Sequence, residues 1–314
     1  NKGLAAMFVM MNEARLGVAI QGLAQSEVAY QNAAHYARER LQGRSLTGPK
    51  EPAKPADPII VHPDVRRELL KIRAFNEATR ALYIWTALQA DVAHRSADAA
   101  GKQKADDHLG LMTPVLKGVM TDLGFDNAVR AQQLWGGHGY IVANGMEQFV
   151  RDARIAQIYE GANGIQALDL VGRKLGAHGG RAVMAFFGEV SAWLKENEAD
   201  EAMKPYLGAL KSGLGHLQQA TMWFMQNAMA KPDNAGAGSY DYMHMFGLVA
   251  MGYMWSKMAK AALGLKDGDR AAEMETKLLT GRFYMERMMP ETGAHLARIT
   301  AGSDTIMAMP ADMF

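Results

Sequence analysis

The chain contains no cysteine. That excludes disulfide staples, thiolate metal sites, iron–sulfur clusters and a cysteine nucleophile, and it suits a reducing compartment. Neither sign of charge is in excess: 34 basic side chains stand against 33 acidic ones, a net charge of +1. Without a basic field there is no electrostatic footprint for nucleic acid or an anionic membrane surface. Long apolar runs are missing too. The longest uncharged stretch toward the C-terminal side, Tyr242 to Trp255, is too short to span a bilayer. The stretch Leu4 to Met11 runs into Asn12, Glu13 and Arg15. It has neither the basic start nor the small-residue cleavage site of a signal peptide. The expectation is a soluble, cytoplasmic protein without a transmembrane segment. Sustained alternation of apolar and polar residues is also absent, so no strand is expected.

What the sequence does have is apolar content of 49% against 21% charged residues, the balance of a folded chain. Its 23 methionines are flexible, unbranched side chains that pack well in helical cores. Helical periodicity dominates. In residues 4–42, Leu16, Ile20, Leu23, Glu27 and Tyr30 step by three or four, and in residues 64–99 Ile72, Phe75, Thr79 and Leu82 do the same. Residues 107–134 give a third pattern, interrupted at Pro114 and Gly124; residues 212–230 carry Leu214, Leu217, Thr221, Phe224 and Ala228 on one stripe. These spacings put apolar side chains on one helical face. Two stretches break the pattern. Residues 43–63 hold prolines at 49, 52, 55, 58 and 63, which lack the backbone donor a helix interior needs. Residues 231–239, Lys-Pro-Asp-Asn-Ala-Gly-Ala-Gly-Ser, read as a second loop, and Gly176–Gly180 as a weaker boundary. At roughly 150 residues per domain the length suggests about two domains. The fold expected is all-α: an up-and-down helical bundle over residues 1–172, then a second helical domain over 173–314.

Chemistry-bearing residues concentrate in 133–166. Gly136, Gly137 and Gly139 let the backbone turn tightly and let another group approach its amides. Such a cluster reads either as a plain connector or as a nucleotide contact. Glu160, between Tyr159 and Gly161, reads either as a solvated helix-start residue or as a base whose pKa desolvation raises. Arg151 and Asp152 read as an ion pair that organises a turn. The histidines are scattered and form no His-Glu-x-x-His pair, so no metal site is expected.

The order of three blocks narrows this reading. Gln133-x-x-Gly136-Gly137-x-Gly139-Tyr140, then Arg151-Asp152-Ala153, then Ile158-Tyr159-Glu160-Gly161-x-Asn163-x-Ile165-Gln166 resembles the C-terminal region of the flavin-dependent acyl-CoA dehydrogenases. Upstream, Asn12-Glu13-Ala14-Arg15-Leu16 followed by Gly22-Leu23-Ala24 is similar to that family's first C-terminal helix. Tyr36-Ala37-Arg38-Glu39-Arg40-Leu41-Gln42-Gly43 is similar to its Tyr-Ala-x-x-Arg-x-Gln-Phe-Gly segment. The phenylalanine before Gly43 is missing, and a proline-rich insertion replaces the short link to His62-Pro63-Asp64-Val65. The tail resembles the extra helical domain of a larger subgroup that includes the 3-methylmercaptopropionyl-CoA dehydrogenases.

The resemblance implies α,β-dehydrogenation of an acyl-CoA thioester to a trans-2-enoyl-CoA, with FAD as hydride acceptor. It makes Glu160 the base and its backbone amide a donor to the thioester oxygen. Some relatives carry the base at the position of Ala14, which alanine cannot fill. Asn12, Arg15, Tyr159 and Gly161 are expected near the substrate, and Ala162 and Gly164 near the flavin. There relatives often carry Thr and Gln, and here Asn163 would substitute for those contacts. Arg40, Gln133, Gly136 and Gly137 are expected to meet the FAD of a neighbouring subunit, hence a homodimer or dimer of dimers. Electron-transferring flavoprotein is the expected electron acceptor. Two other readings are an acyl-CoA oxidase-like enzyme and a non-catalytic helical oligomerisation module. Relatives also have an N-terminal helical and a middle β domain. The strand-free chain beginning at Asn1 is therefore expected to be a C-terminal fragment, inactive alone.

Overall fold

The computed structural model describes residues 3–314, and among these every regular element is helical. In chain order the helices are α1 (Gly3–Glu39), α2 (Pro63–Arg95), α3 (Ala99–Leu134), α4 (Met146–Ile155) and α5 (Asn163–Asp169). They continue as α6 (Arg181–Asn197), α7 (Lys204–Asn227), α8 (Asp233–Leu265), α9 (Ala271–Arg287) and α10 (Glu291–Thr300). The only strand-like pairing among the described residues is one isolated bridge, Leu41 to Pro58.

Small residues set how closely the first three helices pack. Ala19, Ala29, Ala33 and Ala37 of α1 are fully buried. A Cβ on Gly22 would lie 2.2 Å from the Met120 carbonyl oxygen, and one on Gly124 would lie 2.4 Å from the Gly22 oxygen. The backbones of α1 and α3 therefore touch, and neither glycine has room for a side chain. Gly124 is a packing residue inside α3, not the interruption expected. Pro114 does not end α3 either. The Asp98 carboxylate caps its start by accepting from the Ala100 and Gly101 amides. Residues 111–122 of the helix are buried on every side. Packing of that whole segment outweighs the one backbone donor that proline removes.

The second expected loop is also shorter, because α8 starts at Asp233 and takes in Gly236 and Gly238. The place of a Gly238 side chain is filled by the Phe224 ring, 2.9 Å from where a Cβ would stand. Gly238, too, serves packing, whereas Gly236 faces open space. The first loop lies outside the long helices as expected, but it is folded back rather than extended, with Gln42 and Gly43 paired to Asp57, and it wraps around that single carboxylate. Asp57 is fully buried and accepts from the Ser45, Lys50 and Glu51 amides and from Arg44. The Ser45 amide chiefly, with the other two amides and Arg44, holds the Asp57 carboxyl down at about 2.

One apolar core runs through both halves of the chain. It joins Leu23, Phe75, Leu82 and Leu116 of the first helices to Phe186, Leu217, Phe246, Trp255 and Tyr284 of the later ones. The Trp255 indole N–H, itself buried, donates to the Ala74 carbonyl of α2 at 3.0 Å. A smaller cluster around Ile72, Ala131, Leu134 and Met146 closes the far end of the bundle.

Three outcomes follow for measurement. Gly22→Ala is expected to lower stability in urea unfolding by about 1–3 kcal/mol, since the added methyl meets backbone. Gly17→Ala, on an open face of the same helix, is expected to raise it by about 0.5–1 kcal/mol. The Asp57 carboxyl is lower when folded than its ordinary 3.8. Its contribution is therefore present above pH 3.8 and lost as pH falls toward 2. Amide exchange at Ser45, Lys50 and Glu51 is expected to accelerate across that window.

Candidate active site

The segment between α4 and α5 makes a sharp turn at Glu160 and Gly161. Both are left-handed, with φ of 57° and 91°. For glycine this carries little penalty, and a Cβ on Gly161 would in any case lie 2.6 Å from Gln166 Nε2. For glutamate the same backbone costs about 1–3 kcal/mol, so the surroundings must hold it.

They do so through the two carbonyl groups of the turn. The Glu160 carbonyl accepts from Arg15 Nε at 3.2 Å and from Gln166 Nε2 at 3.4 Å. The Gly161 carbonyl accepts from Lys117 Nζ at 2.9 Å and from Gln166 Nε2 at 3.1 Å. Arg15 and Gln166 are buried, and Lys117 is fully so. Lys117 makes no ion pair among the described residues; its other contact is Asn163 Oδ1 at 2.7 Å. Burial pushes the Lys117 ammonium down to about 8, with the Asp122 carboxylate partly opposing the shift. Asn163 in turn donates to the Gly118 carbonyl, to Thr121 and to Asp122 at 2.7 Å. Asp122 also accepts from Gln157, Tyr240 and His244.

What the turn leaves unpaired is as informative as what it pins. Among the described residues, the Glu160 backbone N–H donates to nothing and the half-buried Glu160 carboxylate makes no hydrogen bond or ion pair. One residue thus presents a free hydrogen-bond donor and a free proton acceptor on a backbone fixed at both carbonyls.

The expected residues fall into two groups. Asn12, Arg15, Tyr159, Glu160 and Gly161 come together: Arg15 Nη1 donates to Asn12 Oδ1 at 3.3 Å, and the Tyr159 hydroxyl donates to Gln21 of α1 at 2.7 Å. Ala162 and Gly164 are exposed just beyond. Arg40, Gln133, Gly136 and Gly137 are exposed together at the opposite end of α1. There the Tyr36 ring stacks on Trp135 at 4.2 Å and its hydroxyl meets His138 Nδ1 at 3.1 Å. From Arg15 to Tyr36 the helix rises roughly 32 Å at 1.5 Å per residue, so the two groups are separate places on one protomer.

Two expectations need correction. Asn163 is buried and its amide is engaged within the protein, so its side chain cannot substitute for lost flavin contacts. Arg151 and Asp152 form no pair; both are exposed, Asp152 accepts from Gln148, and both line an open groove of ≈ 950 Å³. No group of three or more metal-ligating side chains occurs among the described residues. Nor is any described helix long and apolar enough to cross a membrane. Sequence reasoning missed Lys117, Asp122, Tyr240 and His244. A lysine at 117 amid Leu116, Gly118 and Val119 was the available signal, because a charge inside an apolar run must find partners.

Lys117→Met leaves the Asn163 acceptor without its donor and the Gly161 carbonyl short of one. It is expected to cost about 1–3 kcal/mol in denaturant unfolding. Because Lys117 is lower when folded, its contribution to stability should rise with pH between about 8 and 10.5. The Lys117→Met variant should lose that rise.

A family profile described as "Acyl-CoA dehydrogenase, C-terminal domain" matches residues 1–176, and one described as "Acetyl-CoA dehydrogenase C-terminal like" matches residues 186–310. Over 98% of its length the chain is 36% identical to 3-methylmercaptopropionyl-CoA dehydrogenase of Ruegeria pomeroyi, covering 52% of that protein. Caenorhabditis elegans ACDH-11, solved in complex with C11-CoA, is similar over 97% of this chain and 48% of that one, with a TM-score of 0.76 and 19% identity. An acyl-CoA dehydrogenase of Bacillus anthracis complexed with FAD is similar over 99% and 51%, with a TM-score of 0.71 and 17% identity. Those two structural likenesses speak to the fold alone. The chain spans about half the length of the curated relatives that it matches along its whole length. On the profile match and the identity to the Ruegeria protein, the chain belongs to the acyl-CoA dehydrogenase family.

Proposed function

We propose that this chain is the base-bearing part of an FAD-dependent acyl-CoA dehydrogenase, which converts an acyl-CoA thioester to the trans-2-enoyl-CoA. The observation that carries the reading is the Glu160 turn, with both carbonyls pinned and both its N–H and its carboxylate free. The α proton of a thioester is weakly acidic. Removing it needs a positioned base and a donor for the charge that develops on the thioester oxygen. Glu160 supplies both: the carboxylate takes the proton, and the backbone N–H of the same residue donates to the oxygen. Arg15, Lys117 and Gln166 keep that geometry in place by holding the turn. Asn12 and Tyr159 border the substrate on the α1 side.

The residues at the far end of α1 fit the cofactor. Arg40 offers a guanidinium fork suited to phosphate oxygens. Gln133 offers an exposed amide, and a Cβ on Gly136 or Gly137 would meet nothing within 4 Å. The Trp135 indole N–H beside them is buried and without a partner among the described residues. Arg40, Gln133, Gly136 and Gly137 would hold the adenine and phosphate end of FAD, and Ala162 and Gly164 would border its ring. Bound FAD supplies the hydride acceptor. Along α1 the two groups lie roughly 30 Å apart, a span that one dinucleotide does not bridge. The reading therefore has each protomer serve a neighbour's flavin, in a homodimer or dimer of dimers. An acyl-CoA substrate, electron-transferring flavoprotein as acceptor and a cytoplasmic location belong to the same proposal. So does the division into a bundle over residues 1–172 and a second domain over 173–314.

Glu160→Gln in the native, flavin-loaded protein tests the assignment. The expected result is a loss of turnover of about 10²–10⁴-fold, with the flavin absorbance and melting temperature unchanged, since the carboxylate supports no contact in the fold. Retained turnover would overturn it.

A further inference from the structure

The tail reaches the Glu160 turn through one shared carboxylate, Asp122. Tyr240 and His244 lie one turn apart on α8, and both bond Asp122 Oδ2 on α3, His244 through Nε2 at 2.9 Å. On its other oxygen Asp122 accepts from Gln157 and Asn163, both at 2.7 Å. Those two residues bracket the turn, and the Asn163 amide N–H also donates to the Gln157 carbonyl at 3.1 Å. We propose that Tyr240 and His244 are positioning residues for Glu160, acting through Asp122 to close the turn against α3.

The geometry makes this a coupling rather than a chance contact. Asp122 is buried, and its hydrogen bonds from His244 and Tyr240 outweigh burial and hold its carboxyl below the usual range. It is therefore an ionised acceptor with both oxygens in use, one toward the tail and one toward the turn. An ionised carboxylate has no proton to give, so His244 Nε2 carries the hydrogen. The close approach of α8 is built in. A Cβ on Gly118 would lie 2.3 Å from Met243 Sδ, and one on Gly247 would lie 2.8 Å from the Val119 side chain. Beyond His244 the network continues: the His244 ring stacks on His295 at 6.2 Å, and Asp241 accepts from His295 at 2.7 Å and Arg298 at 2.8 Å. That places the ring of His244 between Asp122 and a second anchored ring, with little freedom to swing away. Arg15 and Lys117 grip the turn from α1 and α3; Asp122 adds a grip that depends on the tail. The link to catalysis rests on the function proposed above, whereas the link to the turn does not.

The test uses the native protein and four variants. Tyr240→Phe combined with His244→Ala removes the clasp. His244→Gln keeps a terminal N–H near the position of Nε2. Tyr284→Phe removes a buried hydrogen bond to the Leu248 carbonyl that takes no part in the Asp122 network and serves as a control for general loosening. Asp122→Asn removes the shared acceptor charge. Amide hydrogen exchange at Tyr159 and Asn163, both bonded within the turn region, is read alongside kcat and KM for an acyl-CoA. The double variant and Asp122→Asn are expected to exchange about tenfold faster at those amides. Turnover should fall about tenfold while KM moves less than about twofold, the mark of a displaced base. His244→Gln should recover most of both, and Tyr284→Phe should change neither. Unchanged exchange in the double variant, or an equal rise in Tyr284→Phe, would overturn the clasp. Faster exchange with unchanged turnover would overturn its role for Glu160. If native protein with bound flavin oxidises no acyl-CoA, the functional reading fails and the exchange results still decide the clasp.

Discussion

One strained turn, at Glu160 and Gly161, sets the demands that the surrounding helices meet. Glutamate in a left-handed backbone is unfavourable by about 1–3 kcal/mol, and it persists here because buried donors take both carbonyls of the turn. Arg15 comes from α1, Lys117 from α3 and Gln166 from α5. Three helices therefore have to be in register before Glu160 can present its N–H and carboxylate. The close α1–α3 crossing at Gly22 and Gly124 is what brings Arg15 and Lys117 to the same turn. Packing of small residues, burial of a cation and presentation of a free carboxylate are thus links in one chain of cause.

Lys117 shows how the cost is distributed. A fully buried ammonium with no carboxylate in contact is expensive, and its ionisation is pushed down accordingly. It is tolerated because its two contacts are strong acceptors, a carbonyl and a side-chain amide oxygen. Asp122, five residues on along α3, is the compensating negative charge, joined to Lys117 through Asn163. The tail then closes on Asp122. The C-terminal helices thus share with the first helices both an apolar core and a polar network centred on Asp122.

Much of this was legible from sequence, for definite reasons. Period-3.6 patterns gave α1, α2 and α7 because those helices bury one face. The order of the glycine block, Arg-Asp-Ala and Tyr-Glu-Gly pointed to Glu160 and Tyr159, the likeness of Asn12–Leu16 to the family's first C-terminal helix pointed to Asn12 and Arg15, and the structure gathers all four. Reading failed where tertiary packing overrode local rules. Pro114 sits inside α3 because that segment is buried all round. Gly238 sits inside α8 because the Phe224 ring fills the place of its side chain, and Gly236 is carried in the same helix. Asn163 looked available to a ligand until its buried partners were seen. Asp122, Tyr240 and His244 were invisible, since the residues of the clasp are more than a hundred positions apart and carry no local motif.

Under the function proposed above, Glu160 would act as base on an acyl-CoA held beside a flavin. The most direct measurement is the visible spectrum of the native protein, held without oxygen, as acyl-CoAs of different chain length and substitution are added. The expected result is an oxidised-flavin spectrum that bleaches with at least one of them, accompanied by an equal amount of enoyl-CoA. A protein that holds flavin yet leaves it oxidised with every acyl-CoA, or that holds none in its native form, would contradict it.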